Sequence, residues 1–427
     1  MRNTFKIILI LILTLSFTDL KAGTLLDSLK SAYLNNPKLN AERANVRAIN
    51  EEKEEALSEF RPSFTISGYV SEQDNTKGSE SNYKPSEQSL LIEQKIFQGF
   101  GGIANLKKQK YEYSIAKFRL QKIEQEILLA AVQVHADLLL GQKKVDINRI
   151  NVDLLERQVE TDSDRLEKGE INLSDLAQSE ASLAGAEAKL IAAQNNIVSS
   201  KANFEKIISK KPTENIQEIQ FTNFKLPQSL AESYKISENE NPDLKIAILE
   251  HEKSQQDVVI ARSDLAPSAT LSYKIAKQND FSSTVQERTQ QTLKATATWP
   301  LYSGGSNLSS LRKAKELENK YDLLLQYSKK TTSTAVANTW TSYQSSKSVL
   351  NSIRSQVKAA EIANEGITLE YESGESNRTT LDVIQSHSIL LDAKINLATS
   401  ERNFLVSQFS LLSVVGRLTS KQLNLNQ

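Results

Sequence analysis

The residues of this chain that could do chemistry are three histidines, two glycine-rich runs and a set of carboxylates. His135, His251 and His387 stand far apart. None is followed by the Glu at i+1 and second His at i+4 that a helical zinc site requires, and each reads as a helix-face residue. The absence of cysteine removes disulfides, thiolate metal ligands, a thiol nucleophile and an N-terminal lipidated cysteine. The run Gly99-Phe100-Gly101-Gly102 evokes a phosphate loop, but it lacks the Lys-Ser/Thr that would follow. A matching run, Ser303-Gly304-Gly305, stands in the equivalent place of the second half. Acidic pairs such as Glu51 and Glu55 fall on charged helix faces. Asp175 and Asp382 fall where carboxylates stabilise a helix N-terminus. No catalytic constellation and no cofactor site emerges, and the chain is not expected to be an enzyme.

The elements that hold these residues follow from an internal repeat. The chain has 427 residues, with 52 Lys+Arg against 52 Asp+Glu. That balance offers nothing to nucleic acid. Mean hydropathy is −0.41, which excludes a helical inner-membrane bundle. Residues 1–22 read as a signal peptide: Arg2 and Lys6 precede an apolar stretch over 7–17, too short to span a membrane. Pro37 and Pro242, Pro62 and Pro267, and His135 and Trp340 are all separated by 205 positions. The expected organisation is a first repeat over 23–210, a connector over 211–228, a second repeat over 229–415 and a C-terminal segment over 416–427. The spacing is far longer than a solenoid unit.

Each repeat opens with a helical segment, 24–59 or 229–264, ended by proline. A β-hairpin follows, 63–98 or 268–302. In the first, Phe64, Ile66, Gly68 and Val70 alternate with polar residues, and Leu90, Ile92 and Ile96 keep the same phase. In the second, Ala269, Leu271, Tyr273 and Ile275 face the phase of Leu293, Ala295 and Ala297. Period-two alternation of this kind is the pattern of a transmembrane β-barrel strand. The polar stretches 72–87 and 278–290 read as exposed loops. Four strands cannot close a barrel alone, and open sheet edges are not tolerated in lipid, so several chains must join. Three would supply twelve strands.

Long helices come next, 103–168 and 306–372, without proline. Return helices over 172–209 and 379–415 carry sevenfold spacing: Leu176, Leu183, Leu190, Ile197 and Phe204 in one, Val383, Leu390, Leu397, Phe404 and Leu411 in the other. Such heptads predict coiled-coil packing. Gly169 and Gly374 are expected to turn the chain between the helices of each pair. Ser174 and Thr379 or Thr380 are candidate caps of the return helices. Gly99, Gly101, Gly102, Gly304 and Gly305 are expected to swivel the chain from strand to helix.

With its duplicated order of motifs, the chain resembles the TolC family of outer membrane efflux proteins. The resemblance rests on "NPKLNAERANVRAINEEKEEALSEFRPSF", "IFQGFGG", "WPLYSGGSNLSSLRKAK", "RLEKGEINLSDLAQSEASLAGAEAKL" and "YESGESNRTTLDVIQSHSILL", and it covers nearly all of the mature chain. It implies a mainly α protein with transmembrane β-structure. A homotrimer would form a twelve-stranded barrel in outer membrane lipid, continued by a helical coiled-coil barrel in the periplasm of a Gram-negative bacterium. The implied function is export of small molecules or proteins, as the exit duct of a tripartite efflux or type I secretion system. The implied partners are a periplasmic adaptor and an inner-membrane pump. The family's aperture residues map onto Ser174, Asp175, Tyr371, Arg378 and Asp382. The second tip is longer: Gly169 and Asp175 are six positions apart, Gly374 and Asp382 eight. Of two acidic rings common in the family, Asp382 supplies one and Gln385 replaces the other, so weaker cation binding is expected. The alternative from a different class is a periplasmic scaffold or adaptor without a pore.

Overall fold

The computed structural model describes residues 23–72, 84–213, 216, 225–282, 285–373 and 378–425. The expected signal peptide, Gly374 and most of the connector lie outside the described residues. The first repeat contains α1 (Leu25–Asn35), α2 (Pro37–Ser58), β1 (Ser63–Val70), β2 (Ser86–Gln98), α3 (Gly101–Glu167) and α4 (Leu173–Ile208). The second contains α5 (Leu230–Glu240), α6 (Pro242–Ser263), β3 (Ser268–Ser282), β4 (Val285–Thr298), α7 (Ser306–Ser373) and α8 (Thr380–Val414).

The opening segments 24–59 and 229–264 are not single helices. Each breaks at an Asn-Pro pair. Asn36 (φ −64°, ψ 123°) and Asn241 (φ −66°, ψ 123°) are extended, because the proline ring bars the preceding residue from helical angles. Proline itself then suits the first helical turn, where its missing N–H is no loss. Asn36 serves both helices. Its backbone N–H closes α1 on the Ala32 carbonyl, and its Oδ1 accepts from the N–H groups of Lys38 (3.0 Å) and Leu39 (3.3 Å). Its Nδ2 donates to the Ile207 carbonyl at 2.9 Å. Asn241 repeats that last bond, to the Val414 carbonyl at 2.8 Å.

The two bonds measure the repeat. The donors are 205 positions apart and the acceptors 207, so two residues were added between them. The packed cores obey the same rule. Val152, Leu155 and Ala186 cluster with Leu183 and Leu190. Val357, Ala360 and Ala393 cluster with Leu390 and Leu397. Positions before the hairpin turns match at 205 and those after at 207. The sevenfold residues of α4 and α8 therefore pack on α3 and α7, as heptads require.

Two compact units divide the chain, and neither coincides with a repeat. One comprises residues through Asn40, Ile123–Asn241 and Ser333 onward; the other comprises Ala41–Lys122 and Pro242–Thr332. The first holds both helical hairpins with α1 and α5. Within it, His135 is fully buried beside Phe204, its Nδ1 2.9 Å from Ser28 Oγ. The C-terminal segment belongs to this unit. Leu418 and Leu425 are buried, and the Ser420 N–H donates to Glu124 at 2.6 Å. Gly416 (φ +90°) ends α8, with the Arg417 N–H on the Leu412 carbonyl, the wrap that a left-handed glycine permits.

The second unit holds an antiparallel sheet in the order β1-β2-β3-β4. Phe64, Ile92, Tyr273 and Leu293 form one row across all four strands, and Ile66, Leu90 and Ile275 another. The stretch 278–290 is not a loop throughout. Gln278 pairs with Arg288 and Asn279 with Glu287, since polar residues satisfy a ladder as well as apolar ones when both faces meet water or a polar layer. Ile96 does not hold the phase expected of it. A bulge between Lys95 and Phe97 brings Phe97 opposite Ala269, because one extra residue inverts all later side chains. Helices α3 and α6 of this unit are tied by a charge ladder: Lys108–Asp257, Glu112–Lys253 and Arg119–Glu250, at 2.8 to 3.0 Å.

Candidate functional site

The return helices start with reciprocal caps, and those caps position the expected aperture residues. Before α4, Asn172 is extended. Its Oδ1 accepts from the Asp175 N–H (3.1 Å), and the Asp175 carboxylate accepts from the Asn172 N–H (3.2 Å). Before α8, Thr379 and Asp382 repeat the arrangement at 3.3 and 2.9 Å. Two otherwise unpaired donors are satisfied at each helix start. The first cap is Asn172 and not Ser174, which lies exposed within the first turn, because only the residue ahead of the helix has the extended backbone a cap needs. The Thr379 backbone N–H, and then its hydroxyl, hold the Asp382 carboxyl below its usual range. Arg378 Nε donates to Glu370 Oε2 at 2.7 Å, and this contact raises the guanidinium pKa further. Gly169 (φ +73°) makes the first turn.

Tyr371 is placed differently. Its hydroxyl donates to Asp162 Oδ1 at 3.2 Å and lies 2.9 Å from Thr380 Oγ1. The Arg165 guanidinium sits 4.5 Å from the centre of its ring. Asp162 is 0% exposed. It also accepts from Gln158 Nε2 (2.9 Å) and from the Ser179 hydroxyl. One carboxylate thus joins side chains of α3, α4 and α7, and through Tyr371 the start of α8. Tyr371 commits its single O–H proton to Asp162, not Asp175. Of the expected residues, Asp175, Arg378 and Asp382 occupy caps and a surface ion pair, while Tyr371 alone enters the buried cluster.

Sequence reasoning missed Asp162, although the repeat carried a signal for it. At the 205 spacing Asp162 matches Ile367 and Tyr371 matches Leu166; at 207, Thr380 matches Leu173. Three positions that are apolar in one half and polar in the other converge on one cluster. Ser179, by contrast, matches Ser386, which bonds Asn364 at 3.0 Å.

The junction glycines differ among themselves. Gly99 (φ +56°) has no room for a side chain, since an added Cβ would lie 2.6 Å from Ala266 Cβ and 2.9 Å from the Ser263 carbonyl. Gly101 and Gly102 start α3 against Ser263 and Phe60. Gly304 (φ +65°) and Gly305 (φ +84°) turn into α7 in open space.

The sheet sorts its charges by face. In the regularly paired rows, Glu87, Glu93, Lys95, Lys274, Arg288 and Lys294 share the face of Thr65, Ser67 and Ser272. The opposite face carries only Lys277 and Glu287, which pair with each other at 2.6 Å across its last two rows. On that face Phe64, Ile66, Val70 and Leu293 are 67–85% exposed, and the outer edges of β1 and β4 have no strand partner among the described residues. No described helix is long and apolar enough to cross a membrane, and no described cluster of acidic or histidine side chains could hold a metal ion.

A family model described as "Outer membrane efflux protein" matches residues 28–209 and again 234–417. Outer membrane efflux protein BepC of Brucella suis is 25% identical over 404 residues, spanning 94% of this chain and 87% of that protein. Outer membrane protein TolC of Escherichia coli is 23% identical, spanning 94% and 84%. The solved structure of the Campylobacter jejuni CmeC outer membrane channel superposes with a TM-score of 0.83 at 14% identity, covering 92% of this chain and 86% of that one.

Proposed function

The chain belongs to the outer membrane efflux protein family, and from that premise we propose that three copies join strand edge to strand edge, β4 of one beside β1 of the next. The protein is a transport channel of the outer membrane with a helical part in the periplasm, and it is not an enzyme. Membership removes the alternative of an adaptor without a pore. The observation that carries the trimer is the sheet itself: apolar side chains on one face, charges on the other and two open edges. Closure satisfies the edges, which lipid could not do. It turns the row of Phe64, Ile92, Tyr273 and Leu293 to hydrocarbon and the charged face to a water-filled lumen. The duct works with a periplasmic adaptor and an inner-membrane pump, which supply the energy and the choice of substrate. The hairpin ends, with Ser174, Asp175, Tyr371, Arg378 and Asp382, form its periplasmic gate.

The test is the mass of the detergent-purified protein together with its conductance in planar bilayers. Three protomers and a small, steady conductance support the reading. A monomer without conductance refutes it.

A further inference from the structure

We propose that the closed state of the gate is held within each protomer by Asp162, acting as a buried latch between the two helical hairpins. The inference rests on the reading of the hairpin ends as a gate and names the residue that holds them. Asp162 lies on α3, eleven positions from the start of α4, outside the motif that carried the resemblance at the tips.

Three observations carry it. First, Asp162 is fully buried, and its oxygens accept from Gln158, Ser179 and Tyr371, which belong to three helices. A buried carboxylate is tolerated only when its lone pairs are filled, and removing one donor exposes the rest of the set to a large penalty. Second, the contact crosses hairpins: Gln158, Asp162 and Ser179 are in the first, Tyr371 and Thr380 in the second. Elsewhere the same heptad faces pack each return helix on its own outgoing helix. Third, the cluster is where the two repeats diverge, with Ile367, Leu166 and Leu173 at the matching places. The other repeat has the part-buried Ile367 at the place of Asp162. The carboxylate adds a directional bond to the neighbouring hairpin that a leucine or isoleucine cannot make. Separation of the hairpins breaks the Tyr371 bond and lets water reach Asp162, so the latch is strong shut and self-solvating once open.

The experiment is a double-mutant cycle read as single-channel conductance, with trimer mass and heat stability of every variant as controls. Tyr371→Phe removes only the hydroxyl. Asp162→Asn keeps the shape and weakens the acceptor. Asp162→Ile installs the residue of the other repeat and keeps the first hairpin packed. Each is expected to raise conductance severalfold with the trimer intact. Tyr371→Phe combined with Asp162→Asn should rise no further than the larger single change, because both break one bond. Tyr371→Phe combined with Asp175→Asn should be additive. Wild-type conductance in intact Asp162→Asn and Asp162→Ile trimers overturns the latch and leaves the duct standing. So does coupling of Tyr371 to Asp175 with none to Asp162. A wild-type protein that neither trimerises nor conducts fails the duct reading instead.

Discussion

Acid should weaken the helical unit through one side chain, His135. Its imidazole is buried against Phe204 with Nδ1 on Ser28, and Nε2 has no hydrogen-bond partner. The neutral Nδ1–H tautomer fits, donating to Ser28 Oγ and leaving no N–H without an acceptor. The imidazolium would leave a second N–H buried without an acceptor. Desolvation therefore lowers its pKa from 6.5 to about 4, against a smaller opposing pull from Asp27. Between those values the unfolded chain binds a proton that the folded chain does not, so stability falls as pH falls. Above pH 6.5 the contribution is complete. Each tenfold difference in proton affinity between the folded and unfolded chain is worth about 1.4 kcal/mol, so about 2 kcal/mol is lost at pH 5 and the loss approaches about 3 kcal/mol per protomer below pH 4. The assay is heat-induced loss of protease resistance from pH 7.5 to 4.5, comparing the parent with His135→Leu. The variant lacks the titrating group, loses the Ser28 bond and should start lower by about 1 kcal/mol. Its acid slope should be flatter by the amount above. Parallel slopes in the two proteins would refute the reasoning and assign the acid response to other groups.

Other outcomes follow from close contacts and from charge. Gly416→Ala should cost about 3 kcal/mol or more, since the left-handed backbone disfavours a side chain and the added Cβ would overlap the Glu240 carbonyl oxygen. The same protease assay reads it, and a stable variant would contradict the packing of the C-terminal segment. Ile66→Arg, on the apolar face, should lower recovery of folded trimer in membranes by about 2–4 kcal/mol, while Thr65→Arg on the opposite face should not; equal effects would reverse or abolish the assignment of faces. Asp382→Asn should weaken block by divalent and trivalent cations added at the periplasmic side, and equal block in the parent would remove Asp382 from the aperture.

Much of this protein was legible in the amino-acid order. Alternation in β1 and β3, heptads in α4 and α8 and prolines at matching places are local periodicities. They follow from strand and helix geometry whatever surrounds them. The doubled architecture and the two-residue extension of the second tip could be read by aligning the chain with itself. Tertiary structure decided the rest, because it depends on which distant residues meet. Pro37 sets the break at Asn36 locally, but the bond of the Asn36 side chain to the Ile207 carbonyl depends on how α1 and α4 pack. The bulge that replaces Ile96 by Phe97 depends on the register that β3 imposes on β2. Tyr371 was expected at the gate from its place in a motif. Its partner was settled by the packing of four helices, which set Asp162, 209 positions earlier, against its hydroxyl. Periodicity tells which face of an element is buried, while the identity of the polar group that meets it there is set only when the elements pack.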